Sequence, residues 1–384
     1  MANAGVGSLF PHMIKLLSFG ALLFLLLFVS TASPADITRG NPAARLLSGH
    51  SASEHWEFTA RFDSGHFFFA EFLITNIGPG ERSAAAVGYI IDPDGTPHRF
   101  TNGRRKGRWS LSPDRLYLEI GASVLDLHDS TYQLHVNKKA IQVHLRFRPD
   151  RPVVWSETVA LPGYALDLLA LAVPVEGTVW MRGMAKPLPV NGTIAATRSW
   201  MNEAGSSLIL RRLEFFTLQQ KIPLYGLDLL TPDGKRSQWL VIKQPGHPVS
   251  EFHNFALSLD GVTNGPQERG YDVPGALRFK NTEVEGRVRL ERVLVRTDPF
   301  ADLPQLFRFL VELTLNLRPR RVWALSPFTV SFRPDQADHS DHSDQPHVPL
   351  QVHGTSVTAV TFLNPVLASP SRTAAHVLEV SRAP

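Results

Sequence analysis

The chain has 384 residues, of which 43% are hydrophobic and 19% charged. That balance excludes a disordered or fibrous protein and leaves room for two domains. With 39 Lys and Arg against 35 Asp and Glu the formal charge is only +4, and there is no Cys. Disulfides, thiolate catalysis, Cys-bound zinc and lipid attachment through a processed Cys are excluded. So is a nucleic-acid binder with a basic stripe.

The amino terminus reads as an address. Met1 to Lys15 carries one positive side chain and no acid, Leu16 to Val29 is a compact apolar run, and Ser30 to Ala35 supplies small residues. This order predicts a signal peptide over residues 1–35, cleaved after Ala32 or Ala35. An uncleaved anchor is the alternative, although the run is shorter than the roughly 20 residues of a spanning helix. The expectation is export to the periplasm or cell envelope, with residues 36–50 as a linker.

From Glu54 onward the period is two. Trp56, Phe58, Ala60 and Phe62 alternate with His55, Glu57, Thr59 and Arg61, which predicts a strand with one dry and one wet face. Asp63-Ser64-Gly65 turns into a second strand, His66 to Thr75, carrying Phe67, Phe68, Phe69 and Phe72. Ala84 to Ile91 follows and ends at Asp92-Pro93-Asp94-Gly95, where Pro sets φ and Gly permits positive φ. The basic group Arg104-Arg105-Lys106 reads as a solvated turn, or as a weak contact for anionic lipid. Further strands are predicted at Leu116 to Ile120, Tyr132 to Val136 and Ile141 to Phe147.

The plan then recurs. Pro189 to Trp200, Leu208 to Thr217 and Ile222 to Leu230 are strand-like, and Thr231-Pro232-Asp233-Gly234 closes the last. Each Pro-Asp-Gly turn follows an apolar strand and precedes an aromatic, Phe100 or Trp239, five residues after its Gly. A Trp-bearing strand, with Trp56 or Trp200, lies upstream of each. The matching order points to an internal duplication, with independent hairpins as the alternative. The predicted class is all-β: two consecutive antiparallel barrels, residues 51–186 and 187–384, with little helix. Leu303 to Leu317 fits a helix, and its second part fits a strand equally well. Arg318-Pro319-Arg320-Arg321 reads as another solvated turn. Leu350 to Leu363 and Ala375 to Val380 resume strand character.

Candidate chemistry is sparse. Asp338-His339-Ser340-Asp341-His342-Ser343-Asp344, with His347 beyond, holds residue types that ligate borderline metals. A Ser, Asp and Pro-rich loop fixes no ligand geometry, so the expectation is a solvated loop, no metal and no cofactor. No nucleophile elbow, phosphate loop, dinucleotide fingerprint or metalloprotease helix is present. Glu71 and Glu214 each lie inside an aromatic strand. A carboxyl facing a dry cavity has a raised pKa and can protonate an alkene or carbonyl, so these two are the candidate catalytic acids. The alternative is plain: a strand with one wet face carries a polar residue at every second position. Asp167, Asp228 and His253 admit the same two readings.

Several of these segments carry a family likeness. Glu54-His55-Trp56-Glu57-Phe58 resembles the Glu-x-Trp opening of the hydroxyneurosporene synthase, AttH and survival-factor superfamily. Val190 to Trp200 is similar to the strand with which that family opens its second half, and Ala375-His376-Val377-Leu378-Glu379-Val380 to its closing strand. The likeness runs from about Ser51 to the end. It implies two lipocalin-like barrels (a double calycin) packed together, with an apolar pocket at or between them and an isoprenoid or lipid ligand. Arg198-Ser199-Trp200-Met201-Asn202 departs from the family's hydratases, lacking the His and Asp-Trp-Gly character usual there, and so counts for binding over catalysis.

The leading expectation is therefore an exported protein that carries or sequesters a hydrophobic small molecule. Aromatic inward faces suit such a ligand, with Trp56, Phe58, Phe68 and Trp200 as the lining. Two alternatives stand beside it: a carotenoid hydratase-like or cyclase-like enzyme using Glu71 or Glu214, and an envelope assembly factor that contacts a membrane or membrane protein through Leu303 to Leu317.

Overall fold

The computed structural model describes residues 43–77, 82–149, 161–218, 221–244, 249–262, 271, 273–298, 319–333 and 349–363. The predicted signal segment, Leu303 to Leu317, the His and Asp loop and Ala375 to Val380 lie outside them.

The period-two pattern of the first half forms eleven antiparallel strands. They are β1 (Ser53–Phe62), β2 (Phe67–Thr75), β3 (Ser83–Ile91), β4 (Pro97–Arg104), β5 (Ser110–Leu111), β6 (Tyr117–Ile120), β7 (Ser123–His128), β8 (Thr131–Lys138), β9 (Ile141–Phe147), β10 (Tyr164–Met181) and β11 (Leu188–Met201). Their order in the sheet is β4-β3-β2-β1-β11-β10-β9-β8-β7-β6-β5. The second sheet holds β12 (Arg211–Thr217), β13 (Leu224–Leu230), β14 (Arg236–Ile242), β15 (Ser250–His253), β16 (Ala256–Val262), β17 (Pro274–Lys280), β18 (Val284–Arg289), β19 (Arg292–Thr297), β20 (Arg320–Phe332) and β21 (Leu350–Phe362). Its order is β15-β14-β13-β12-β21-β20-β18-β17-β16, with β19 also on β20. The fold is all-β, as expected: two curled antiparallel half-barrels, with a single helical turn, Gly205–Leu208, among the described residues.

Both sheets close on one plan, first strand on last: β1 pairs β11, and β12 pairs β21. Leu188–Met201 therefore ends the first sheet, and the chain crosses to the second between Met201 and Arg211, not at residue 187. The strand looks like a fresh start in sequence because it follows the irregular β10. That strand spans 18 residues and slips register twice, near Leu168 and Ala170, with Ala172 at φ 51°. Such bulges bend a strand and break its period of two.

The two Pro-Asp-Gly loops are built alike. Gly95 N donates to Asp92 O at 2.9 Å and Gly234 N to Thr231 O at 3.0 Å, with both glycines at positive φ, 100° and 83°. Counted from the closing strands, however, the first joins the third and fourth strands (β3–β4) and the second joins the second and third (β13–β14). The same turn chemistry recurs at places that are not equivalent, so it does not mark the register of the repeat.

Three apolar cores follow from the alternation. Trp56, Phe58, Phe62, Phe68 and Phe72 fill the curl of the first sheet. Phe215, Phe252, Phe279, Phe328 and Phe332 fill the curl of the second. A third core takes Phe67, Phe69 and Tyr164 from one sheet and Phe216, Tyr225, Trp239 and Trp323 from the other. The face of β1 expected to be wet is therefore covered, and Glu57 and Thr59 are only 7% and 4% exposed. Alternation gives the parity of a strand, but a second sheet can bury both parities.

Three aromatics lie over glycines directly opposite on the next strand: Phe100 over Gly88, Phe215 over Gly226 and Phe279 over Gly286. A Cβ on Gly226 would sit 2.1 Å from the Phe215 ring, far inside contact distance. Gly226→Ala is expected to cost about 1–3 kcal/mol as overpacking. Urea unfolding measures this, and an unchanged midpoint would mean that the ring has room to move.

Candidate functional site

The third core contains a charged cluster drawn from both sheets. Glu57 on β1 and Glu71 on β2 are register partners in the first sheet. Arg212 and Glu214 project from β12 at the same parity as Phe216, and Arg321 is the second residue of β20. Arg212 Nη2 lies 2.6 Å from Glu57 Oε2 and 2.7 Å from Glu214 Oε1. Arg321 pairs with the other Glu57 oxygen, and its Nη1 lies 3.6 Å from Glu71 Oε2. Tyr225 on β13 donates its hydroxyl to Glu214 Oε1 at 2.6 Å.

The charges of the cluster are matched across the two sheets. Burial pushes the Glu57 carboxyl up, but the Arg212 and Arg321 guanidiniums outweigh it and hold the group at about 2. Burial alone would lower Arg212, yet Glu214 and Glu57 raise it well above the ordinary guanidinium value. The Tyr225 phenol is raised well above its ordinary value by burial and then by the Glu214 carboxylate, so it stays a proton-bearing donor.

Beside this cluster stands an aromatic wall. Trp323 lies 4.3 Å from the Phe69 ring, centroid to centroid, and the Arg321 guanidinium covers it at 4.3 Å. Glu57, Thr197, Glu214, Phe216, Tyr225, Arg321 and Trp323 contribute to a cleft between the sheets. The space free of atoms there, open solvent included, is about 250 Å³. In this conformation the cleft is narrow.

The structure brings together Glu71 and Glu214, the two candidate acids, which the sequence places in different halves. Neither faces a dry cavity alone. Glu71 is held by His55 and Arg321, and Glu214 by Arg212 and Tyr225. The four aromatics expected to line a pocket stand elsewhere. Phe58 packs edge-on against Phe72 and Phe147 at 6.2 and 6.1 Å, and Phe68 stacks on Phe100 at 6.3 Å, all within the first curl. Trp56 and Trp200 are covered by the chain's own cations: Arg198 lies 5.4 Å from the Trp56 ring and Arg45 3.8 Å from that of Trp200. Arg198 is itself fixed by Glu54 at 2.7 Å. Asp228 is tied to Arg211, Arg236 and Gln238, and His253 Nδ1 lies 3.3 Å from the Gln238 carbonyl oxygen, which makes both structural.

Glu57, Arg212, Tyr225, Arg321 and Trp323 were not singled out by sequence. The Arg320-Arg321 pair, expected in a solvated turn, begins β20, where Arg321 is nearly buried and Arg320 is held by Asp298 at 2.7 Å. A signal was available: Arg212 and Glu214 alternate with Leu213 and Phe215, so two charges share the strand face that also carries Phe216. Among the described residues no group of His, Asp and Glu has the geometry of a metal site, and no helix is long and apolar enough to cross a membrane.

No protein-family model matches the sequence, and neither does any curated protein. Solved structures do match. An AttH-like protein of Nitrosomonas europaea superimposes with a TM-score of 0.62 at 12% identity, over 88% of this chain and 100% of that one. CghA, solved with Sch210972, gives 0.56 at 12% identity over 88% and 97%. Kievitone hydratase of Nectria haematococca gives 0.51 at 10% identity over 82% and 90%. Likeness at such identity speaks for architecture, and the chain accordingly has the double lipocalin-like fold of these three proteins.

Proposed function

We propose that the chain binds an apolar, unsaturated small molecule in the cleft between its two sheets. Hydrocarbon lies against Trp323 and Phe216, and a polar end meets Arg321 and Tyr225. One observation carries this reading: aromatics of the second sheet and charges from both sheets converge at that cleft, while the interior of each curl is filled by its own side chains. The narrowness of the cleft favours a flat ring or the end of a polyene over a folded alkyl chain.

The test is uptake of a fluorescent polyene acid by delipidated protein. Trp323→Ala should weaken binding about tenfold or more, the scale of one lost aromatic contact. Phe68→Leu, inside the first curl, should leave it unchanged. The reverse pattern would return the ligand to the barrel interior.

A second reading, catalysis on the same ligand, is favoured by Tyr225. Its phenol lines the cleft with its proton given in a hydrogen bond to Glu214 and its pKa raised well above the ordinary value, so it can accept from and orient a polar substrate group but is a poor proton donor. That a hydratase shares the fold supports the same reading. Turnover of a candidate isoprenoid should disappear in Tyr225→Phe and in Glu214→Gln; full turnover in both would end this reading.

The amino-terminal pattern supports work in the cell envelope. A tagged full-length chain should fractionate there, with a new amino terminus at Ser33 or Asp36 if the signal is removed. Recovery of the intact chain from the cytoplasm would contradict export.

A further inference from the structure

The first strand carries a second constellation, joined to the inter-sheet cluster only through Glu71. Ser53 and His55 stand two apart on β1, so their side chains share a face, and Glu71 reaches them from β2. His55 Nδ1 lies 2.7 Å from Glu71 Oε1, and His55 Nε2 lies 2.9 Å from Ser53 Oγ. The other Glu71 oxygen faces Arg321 at 3.6 Å, an environment that suits a carboxylate. A carboxylate only accepts hydrogen bonds, so it fixes the imidazole proton on Nδ1. The Nε2 lone pair is then left to accept the Ser53 hydroxyl. Nucleophile, base and orienting acid are thus connected through the atoms that an acyl-transfer triad requires.

The setting fits a substrate. Ser53, only 3% exposed, borders a second cleft together with Leu46, Leu47, Glu54, Ile74, Asn76 and Arg82, where the space free of atoms, open solvent included, is about 210 Å³. Leu46 and Arg82 hold φ at 47° and 55°, a strained region for such side chains, and strain of this kind gathers at functional clefts. The apolar members offer a wall for an acyl chain. Arg82 is the cation of that lining, suited to the negative charge that develops on an acyl oxygen.

We propose that Ser53 is an acyl-accepting nucleophile, with His55 as its base and Glu71 orienting the imidazole, and that its substrates are esters of short apolar acids. The Ser53 Oγ–acyl carbon bond forms as its proton passes to His55 Nε2. The ester C–O bond then breaks, and the departing alkoxide takes that proton. Water, delivering its own proton to Nε2, adds to the acyl carbon, and Ser53 leaves with the proton restored. This activity is separate from ligand binding between the sheets.

The experiment is covalent labelling of the full chain with an alkyl fluorophosphonate, which reacts with hydroxyls activated by a neighbouring base. One adduct per chain is expected, mapped by peptide mass spectrometry to Ser53. Ser53→Ala should abolish the adduct, and Glu71→Gln should slow labelling by about tenfold or more, since the imidazole loses its orientation. Hydrolysis of p-nitrophenyl butyrate should follow the same ranking. Folded wild-type protein that gives no adduct, or gives one at another serine, overturns the proposal whatever the variants do. Glu71→Gln labelling as fast as wild type overturns the role of the triad.

Discussion

Arg212→Met will lower the stability of the chain by about 3–5 kcal/mol, the scale on which removing one member of a buried ion pair leaves its partner uncompensated. Arg212 is the only described cation that bridges Glu57 on the first sheet and Glu214 on the second, at 2.6 and 2.7 Å. Without it Glu57 keeps Arg321, but Glu214 keeps only the Tyr225 hydroxyl. Met matches much of the volume, so the loss measures charge rather than a cavity. The check is the urea midpoint of the variant against wild type. A loss below about 1 kcal/mol, the range of exposed pairs, would mean that water reaches these carboxylates freely.

Acid will unfold the chain through the same cluster. Glu57 sits at about 2 when folded, against an ordinary value of 4.5. A group with a depressed folded pKa stabilises most above its unfolded value, and the contribution fades as pH falls toward the folded one. The window therefore lies between about pH 4.5 and 2, and a shift of that size corresponds to about 3 kcal/mol. Glu57→Gln should be less stable than wild type at neutral pH, with a distinctly flatter acid limb. Urea midpoints taken from pH 6 down to pH 2 on both proteins decide the matter. Parallel curves would show that Glu57 contributes nothing to the pH dependence.

Much of the architecture was legible because a strand with a filled face repeats every two residues. Trp56-Phe58-Ala60-Phe62, the aromatics of β2 and the alternation of Ile141 to Phe147 reveal their strands without help from the rest of the chain. β10 escaped for the opposite reason. Its bulges, its Pro174 and its Gly177 interrupt the period, and its pairing with β9 and β11 becomes visible only once those strands are in place. The closing strand β11 was legible as a strand but not as the partner of β1, because a contact made across more than a hundred residues leaves no local trace.

The candidate site was half legible for a related reason. Glu71 and Glu214 stood out as acids in aromatic strands, and both reached one cluster. Their counter-ions did not stand out: Arg212 and Arg321 look like ordinary surface basics until a second sheet covers them. Alternation likewise assigned Trp56, Phe58 and Phe68 to one face correctly. It could not say whether that face holds a guest or simply packs on itself. Parity is a property of a strand, whereas vacancy is a property of everything around it.

Where the ligand lies is open to direct measurement. A photoactivatable polyene acid, bound to delipidated protein and then irradiated, should leave its adducts on Phe216, Tyr225 and Trp323, the aromatics that the second sheet presents to the cleft between the sheets. Adducts on Phe58, Phe68 and Phe147 instead would put the guest inside the first curl and contradict the account.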